Sequence, residues 1–111
     1  MTDLNSFIKT FYSYLKYEKR YSNDTLKNYS LDLDKFFTYL SSNKIGKVSE
    51  ITTDVIQRYI NSLNRSGFLA TSISRKASSI RSFFSFLYKK KLISINPSKK
   101  IIVPKRLQKL P

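Results

Sequence analysis

Hydrophobic residues recur along this chain every three or four positions, which is the period of an amphipathic α-helix. The first stripe predicts a helix over residues 3–19, and the second predicts a helix over about residues 22–41. Ser22 can cap the second helix, and Asp24 places a negative charge near its positive end. The predicted inward residues are Leu4, Phe7, Ile8, Phe11, Tyr12 and Leu15 in the first helix, and Leu26, Tyr29, Leu33, Phe37 and Leu40, with Phe36 beside them, in the second.

Two more stripes predict a third and a fourth helix. Thr52 or Thr53 can cap the third helix, which ends near Gly67, a residue that suits the left-handed position after a helix. The fourth covers about residues 70–90. The predicted inward residues are Val55, Ile56, Tyr59, Ile60 and Leu63 in the third helix, and Ile73, Ala77, Ile80, Phe84 and Leu87 in the fourth. Four helices with short connections predict an all-α fold, a four-helix bundle.

The helical period ends at Pro97. The segment 97–111 contains all three prolines of the chain and five Lys or Arg residues. This composition indicates an extended basic linker rather than a fifth helix. We therefore expect a folded domain over residues 1–96, followed by a linker over residues 97–111.

Positive charge is concentrated in the second half of the chain. Residues 1–54 contain eight Lys or Arg and seven Asp or Glu, whereas residues 55–111 contain thirteen Lys or Arg and no acid. Such a surplus repels itself unless a polyanion neutralises it, and nucleic acid releases counterions when Lys and Arg bind its phosphates. A Lys-rich proteome is the alternative source of the charge. The asymmetry favours a DNA- or RNA-binding module, because a general bias would not remove acids from one half alone.

The outward face of the fourth helix combines small hydroxyl residues with long cations and carries no acid. On a helical wheel, Arg75, Ser78 and Ser82 lie opposite the hydrophobic stripe, and Lys76 and Arg81 lie on the shoulders of that face. An ordinary solvated face is the alternative, but it usually includes Glu for i,i+4 pairs with Lys. Small side chains allow a helix to enter the major groove, where Arg and Lys reach phosphates or guanine edges. The face therefore predicts insertion into a groove.

Two other residues of the fourth helix lie away from its hydrophobic stripe. Ser79 flanks the outward face, and Phe86 falls about 140° from the inward direction. An aromatic side chain at that angle requires cover from elsewhere. The period leaves two explanations open, which are cover by the C-terminal tail and cover by another domain.

The composition excludes several kinds of chemistry. The chain has no cysteine and no histidine, so disulfides, thiolate metal sites and the commonest general base are absent. No paired carboxylates, glycine-rich phosphate loop or Ser/His/Asp set is apparent, and we expect neither catalysis nor a cofactor. No apolar run reaches the ~18 residues of a membrane span, and the N-terminus does not have the pattern of a signal peptide. We expect a cytoplasmic protein without a membrane partner.

Segments of the last three predicted helices and of the tail, in order, resemble the N-terminal core-binding domain of tyrosine recombinases of the Xer and phage-integrase type. They are Ser22-x-x-Thr25-x-x-x-Tyr29-x-x-Asp32-Leu33-x-x-Phe36 in the second helix, Ile51-Thr52-x-x-Val55-x-x-Tyr59 at the third, Thr71-Ser72-Ile73-Ser74-Arg75-Lys76-x-Ser78-x-Ile80-Arg81-Ser82-Phe83-Phe84-x-Phe86-Leu87 in the fourth, and Asn96-Pro97 with Pro104-Lys105 to Leu110-Pro111 in the linker. The resemblance spans residues 4–111.

This resemblance implies a SAM-like four-helix bundle that forms one half of a C-shaped clamp around duplex DNA. Its second and fourth helices would lie in the major groove of a recombination half-site, and other recombinase subunits would complete a synaptic tetramer. The DNA-facing positions that it implies are Thr25, Lys27, Asn28, Ser74, Arg75, Lys76, Ser78, Arg81 and Ser82. The helical period independently selects Lys27, Asn28, Arg75, Ser78 and Ser82, and it places Tyr29 in the core.

The family's reaction needs an Arg/Lys/His/Arg set and a tyrosine nucleophile, which belong to a C-terminal domain that this chain lacks. We therefore expect this chain to bind DNA without cutting it, and a full-length protein to be a tyrosine recombinase. Chromosome dimer resolution and mobile-element integration remain open, because both use this kind of domain. A basic RNA- or ribosome-associated protein is a further alternative, as is an interaction module that docks partner helices through Tyr14, Tyr17 and Tyr21.

Overall fold

The computed structural model describes residues 4–104, and these residues form four α-helices and no strand. The helices are α1 (Leu4–Ser13), α2 (Asn23–Ser42), α3 (Thr53–Arg65) and α4 (Ala70–Lys89). A short 3-10 turn, Val48–Glu50, lies between α2 and α3. The predicted all-α fold with four helices is confirmed.

Helix α1 widens after Ser13 into a π-helical turn, Tyr14–Glu18, in which i→i+5 hydrogen bonds replace the usual pattern. The turn keeps Leu15 buried and carries helical structure over nearly all of the predicted span. Tyr21 N donates a hydrogen bond to Leu15 O at 3.1 Å, and Arg20 adopts a left-handed φ of 54°. These two features end the helix and direct the chain into α2.

Hydroxyl caps fix the beginnings of α2 and α3. Ser22 Oγ accepts a hydrogen bond from Thr25 N at 3.2 Å, and Thr52 Oγ1 accepts one from Val55 N at 3.2 Å. Each bond satisfies a backbone donor that has no partner within its helix. Gly67 follows α3 with a φ of 89°. Both the predicted caps and the predicted left-handed glycine are confirmed.

The hydrophobic core is centred on α4, because the inward residues predicted for this helix are all completely buried. They are Ile73, Ala77, Ile80, Phe84 and Leu87. Phe83 is also buried, and its ring meets those of Phe11 at 5.4 Å and Phe37 at 5.6 Å in the edge-on geometry that aromatic pairs prefer. In α2 the fully buried ring belongs to Phe36, whereas Phe37 is only partly buried. The inward side of α2 is therefore rotated slightly from the predicted stripe.

Phe86 is buried, although the period of α4 places it away from the core. It is only 5% exposed, and its ring centre lies 5.4 Å from that of Phe11 and 4.6 Å from that of Tyr14. Helix α1 and its π-helical turn therefore cover this side of α4. The expectation of cover by the tail or by another domain was wrong, because a helical period does not reveal where a neighbouring helix passes.

The segment after α4 lies against the bundle. Thr53 Oγ1 donates a hydrogen bond to Pro97 O at 2.8 Å. The Gln57 amide binds both backbone groups of Ile102, since its Nε2 donates to O at 2.9 Å and its Oε1 accepts from N at 2.8 Å. Ile101, which lies between Pro97 and Ile102 in the chain, is buried. Packing therefore continues past residue 96, where the composition suggested that the domain ends.

The remainder of the expected linker, residues 105–111, lies outside the described residues. Residues 101–104 have no regular secondary structure. Among residues 4–104, no helix is both long enough and apolar enough to cross a membrane.

We expect Phe86→Ala to lower the free energy of unfolding by about 3 kcal/mol, because it removes a buried ring that joins α4 to α1. Urea unfolding followed by circular dichroism measures this change. Tyr88→Ala is the matched control, since Tyr88 lies on the same helix but is 50% exposed. Its effect should stay within about 0.5 kcal/mol. Equal effects of the two substitutions would contradict the packing of α1 on this side of α4.

Candidate nucleic-acid interface

A carboxylate from α2 is buried against α4. Asp32 is only 1% exposed, and its oxygens accept hydrogen bonds from three side chains of α4. Arg75 donates from Nε to Oδ2 at 3.3 Å and from Nη2 to Oδ1 at 2.9 Å. Lys76 Nζ lies 3.4 Å from Oδ1, and Ser79 Oγ donates to Oδ2 at 2.9 Å. These four residues are called the Asp32 cluster below.

Charge in the Asp32 cluster is more than balanced. A buried carboxylate is costly unless hydrogen bonds and opposite charges compensate it. Two cations and a hydroxyl do so here, and they leave the cluster with one net positive charge. Helix α4 contains no acid of its own, so the negative charge has to come from α2. The cluster therefore joins the two helices while the surface of α4 stays cationic.

The hydrophobic pattern of α2 did not identify Asp32 as a buried residue. Asp32 lies one position before Leu33 and four before Phe36, both of which are completely buried. It therefore occupies the inward side of α2 at helical spacing. An acid within a hydrophobic stripe is the signal that could have found it, although its partners depend on which helix packs there.

The contacts between α2 and α4 also define their relative direction. Tyr29 Oη lies 3.3 Å from Ser82 Oγ, and one turn later in α2 Asp32 meets Ser79 and Arg75. Position numbers rise along α2 while they fall along α4, so the two helices run antiparallel. Tyr29 packs against the core, as predicted.

Arg75 is the member of the Asp32 cluster that reaches the surface. Its side chain is 58% exposed, although one edge of its guanidinium is bound in a fork to the buried carboxylate. A guanidinium has five N–H groups, and the two that bind Asp32 leave three available. Ser78 and Ser82 lie three and seven positions further along α4, on the same side of the helix as Arg75. The structure thus places an anchored cation on the same side of α4 as two small hydroxyl residues.

Two cations from the shoulders of the outward face are engaged inside the domain. The Lys76 side chain is only 5% exposed, and its ammonium lies 5.6 Å from the ring centre of Phe68 as well as near Asp32. Arg81 is half-buried, and its Nη2 donates a hydrogen bond to Ile101 O at 2.9 Å. The structure therefore turns Lys76 inward and directs Arg81 toward the segment after α4.

The hydroxyl residues of α4 divide into exposed and buried ones. Ser74 and Ser78 are exposed, and Ser82 is half-buried beside Tyr29. Ser79 is buried in the Asp32 cluster, so its expected place beside the outward face was wrong. The cause is the passage of α2, which covers this side of the helix.

Helix α2 contributes the remaining candidate residues. Lys27 and Asn28 are exposed, and Asn28 lies one turn before Asp32 on the same side of the helix. Thr25 is half-buried in the first turn, where its Oγ1 accepts a hydrogen bond from Ser22 Oγ at 3.1 Å. Of the candidate residues on α2, the exposed ones are thus one cation, Lys27, and one amide, Asn28.

The exposed candidate residues carry groups that can bind a polyanion. Among residues 4–104, no three His, Cys, Asp or Glu side chains lie close enough together to hold a metal ion. The exposed groups are a guanidinium, an ammonium, an amide and hydroxyls, which are the side chains that bind phosphates and base edges. The arrangement suits a nucleic-acid surface.

A tyrosine on the buried side of α3, Tyr59, has a raised pKa. Burial, with a smaller contribution from the negative charge of Asp32, raises the pKa of Tyr59 to about 12. Its hydroxyl has no hydrogen-bond partner within the part of the chain that the structure describes. Ionisation of Tyr59 is therefore disfavoured in the folded protein.

Comparisons with known proteins show similarity along the whole chain. Residues 8–91 match the family described as the phage integrase N-terminal SAM-like domain. The chain is 32% identical over 111 residues to tyrosine recombinase XerC of Anoxybacillus flavithermus, covering 100% of this chain and 37% of that protein. It is also 32% identical over 111 residues to XerC of Bacillus subtilis, covering 36% of that protein. Over 108 residues it is 34% identical to XerD of Staphylococcus epidermidis, covering 97% of this chain and 37% of that protein. The chain thus spans little more than a third of the length of these relatives. No solved structure matches it significantly.

We expect Tyr59→Phe to remove a loss of stability at high pH. The pKa of Tyr59 is higher in the folded state than its ordinary value of ~10. The stability that the neutral tyrosine contributes to the folded state is therefore complete below about pH 10 and is lost as the pH rises toward 12. At about pH 11, midway between the two pKa values, the loss should be about 1.4 kcal/mol in the parent chain and absent in the variant. At neutral pH the substitution should be close to neutral or stabilising, because the hydroxyl that it removes has no hydrogen-bond partner among residues 4–104.

Urea unfolding of both proteins at neutral pH and at about pH 11 measures the difference between their pH dependences. All other ionisable groups are common to the two proteins, so the comparison isolates Tyr59. Identical pH dependences would contradict the raised pKa of Tyr59.

Proposed function

Because the chain belongs to the family of phage integrase N-terminal SAM-like domains, we propose that it binds duplex DNA as the N-terminal domain of a tyrosine recombinase. The observation that carries this proposal is the cationic, acid-free face of α4, on which a buried carboxylate of α2 holds Arg75. Helix α4 would enter the major groove with Ser74 and Ser78 toward the DNA, since small side chains allow the helix backbone to approach the bases.

The contacts with DNA that we propose for individual residues depend on which of their polar groups are exposed. Arg75 would bind a guanine edge or a phosphate through its unbound N–H groups. Lys27 and Asn28 would extend the contact from α2, where Lys27 suits a phosphate and Asn28 suits an adenine edge. Thr25 and Ser82 would contribute hydroxyls to phosphates from half-buried positions.

Lys76 and Arg81 would act differently from the residues above. The Lys76 ammonium is enclosed, so it would raise the local positive potential without touching DNA. Arg81 is bound to Ile101 O, and it would first hold the segment after α4 in place. We therefore leave both residues out of the direct contacts that we propose.

The recombination chemistry would come from elsewhere in a longer protein. The named relatives are tyrosine recombinases almost three times as long as this chain. We propose that a full-length protein exchanges DNA strands in an assembly of several recombinase subunits in the cytoplasm. The relatives named XerC and XerD favour the Xer group over mobile-element integrases.

We expect Arg75→Ala to weaken binding to a preferred duplex by about 5- to 150-fold, which corresponds to the ~1–3 kcal/mol of a bidentate base contact. Arg58→Ala is the matched control, because it removes the same charge from an exposed position on α3. Fluorescence anisotropy with labelled duplex selected from a randomised pool measures both affinities. Equal losses in the two variants would remove α4 from the interface.

Salt dependence and competitor RNA test the ligand class in the same assay. The logarithm of the binding constant should fall with the logarithm of salt concentration by about 0.9 per phosphate contacted. A structured RNA of equal length should bind more weakly than duplex DNA. Equal or tighter binding to the RNA would contradict the proposed function and favour the RNA-associated alternative.

A further inference from the structure

We propose that Asp32 is a positioning residue for Arg75, and that it determines how strongly the protein discriminates between DNA sequences. The inference rests on the proposed function and extends it to a residue that touches no DNA. In this proposal, the buried carboxylate of Asp32 fixes the direction from which the guanidinium of Arg75 approaches a base pair.

The unequal burial of the two partners carries the inference. Asp32 is 1% exposed, whereas the Arg75 side chain is 58% exposed. The carboxylate is held at a fixed place by the packing of α2 on α4 and by Ser79, so it can act as an anchor. The opposite edge of the guanidinium remains in solvent with three free N–H groups. The contact is therefore fixed at one end and available at the other.

Charge balance alone does not require this contact. Lys76 already supplies a cation to Asp32 from inside the domain, and its side chain is almost completely enclosed. Arg75 adds a second cation to the same carboxylate and leaves the Asp32 cluster with a net positive charge. What Arg75 gains is a defined orientation, because a two-point fork restricts a long side chain that would otherwise sample many rotamers.

An oriented guanidinium favours one base pair over others. Bidentate recognition of guanine requires both N–H groups to point at O6 and N7 together, and preorganisation lowers the cost of that alignment. A freely moving arginine would still attract any phosphate through its charge. Loss of the anchor should therefore reduce sequence discrimination far more than it reduces general affinity for DNA.

The simple variant Asp32→Asn is a poor test, because it leaves the enclosed ammonium of Lys76 without its counter-charge and so destabilises the fold whatever its effect on Arg75. The informative pair is Lys76→Met and the double variant D32N/K76M. Both lack the enclosed cation, and they differ only in the charge at position 32. The double variant removes one positive and one negative charge, so it keeps the net charge of +14 of the parent chain.

The assay measures two affinities for each variant at fixed salt, one for the duplex enriched by the parent chain from a randomised pool and one for a scrambled duplex of equal length. The ratio of the two is the discrimination. We expect K76M to discriminate like the parent chain and D32N/K76M to lose about tenfold in discrimination with scrambled-duplex affinity unchanged or higher. If charge alone mattered, removing the acid would tighten binding to both duplexes and preserve their ratio. That result would overturn the inference.

A second comparison establishes whether the effect passes through Arg75. Arg75→Ala should reduce discrimination much less in the D32N/K76M background than in the parent chain, because the arginine is no longer positioned there. Neither background leaves an enclosed charge without a partner, since Lys76 still balances Asp32 in the single variant R75A. An equal reduction in both backgrounds would show that Asp32 acts on DNA binding through the general packing of α2 and α4, and would overturn the positioning role. A purely structural role would not produce this dependence on Arg75.

A measurement on the parent chain needs no substitution. The Nε–H group of Arg75 should be nearly as ordered on the nanosecond timescale as the backbone, as measured by ¹⁵N relaxation. Arg65, which is exposed at the end of α3, is the internal comparison. An Arg75 signal as mobile as that of Arg65 would overturn the inference even if every variant failed to fold.

The outcomes separate the inference from the proposed function. If the parent chain enriches one sequence and D32N/K76M discriminates equally well, the inference is overturned and DNA binding still stands. Parent chain that binds all duplexes equally also overturns the inference while general DNA binding stands. Parent chain that binds no duplex overturns both.

Discussion

The pairing of Asp32 with α4 is the constraint on which the rest of the candidate site depends. A carboxylate that is almost completely removed from water requires donors at both of its oxygens, and here Arg75, Lys76 and Ser79 provide them. Those donors lie on consecutive turns of one helix, so satisfying the acid fixes both the rotation of α4 and its distance from α2. Such a buried pair contributes little net stability compared with apolar residues, but loss of one partner leaves a costly unpaired charge. The interaction is therefore better suited to fixing a geometry than to strengthening the fold.

Packing around this contact explains why the face of α4 can remain so cationic. The hydrophobic side of α4 is completely buried, which holds the helix in place without any acid on its own surface. Helix α1 and its π-helical turn cover Phe86 on another side. The segment after α4 binds through Gln57 and Arg81, which directs the chain along α3 as it leaves the bundle. The like charges of α4 are thus tolerated because apolar burial, rather than surface ion pairs, supplies the stability.

Much of the fold could be predicted from the sequence because it depends on local periodicity. The four helices, the caps at Ser22 and Thr52, the glycine after α3 and every inward residue of α4 follow from spacing and from single-residue conformational preferences. The candidate site was predicted less completely. The wheel placed Arg75 and Ser78 on the outward side, where the structure also has them exposed, but it placed Ser79 beside them although α2 buries that residue. The expectation for Phe86 failed for a related reason. A helical wheel contains only its own helix, so it could not show that α1 and its π-helical turn cover Phe86.

The sequence by itself determined the helices, their hydrophobic sides, the charge asymmetry and the family resemblance, because each of these depends on residues close together in the chain or on composition. Only the tertiary structure decided which polar residues stay in water. Asp32 and Lys76 are 44 positions apart, and Asp32 and Ser79 are 47 positions apart. Whether a charge is buried and paired or exposed and free depends on the packing of one helix on another, and no period within a single helix contains that information. The chemistry offered to DNA is set by that packing, since it leaves Arg75 half in water while it encloses the neighbouring Lys76.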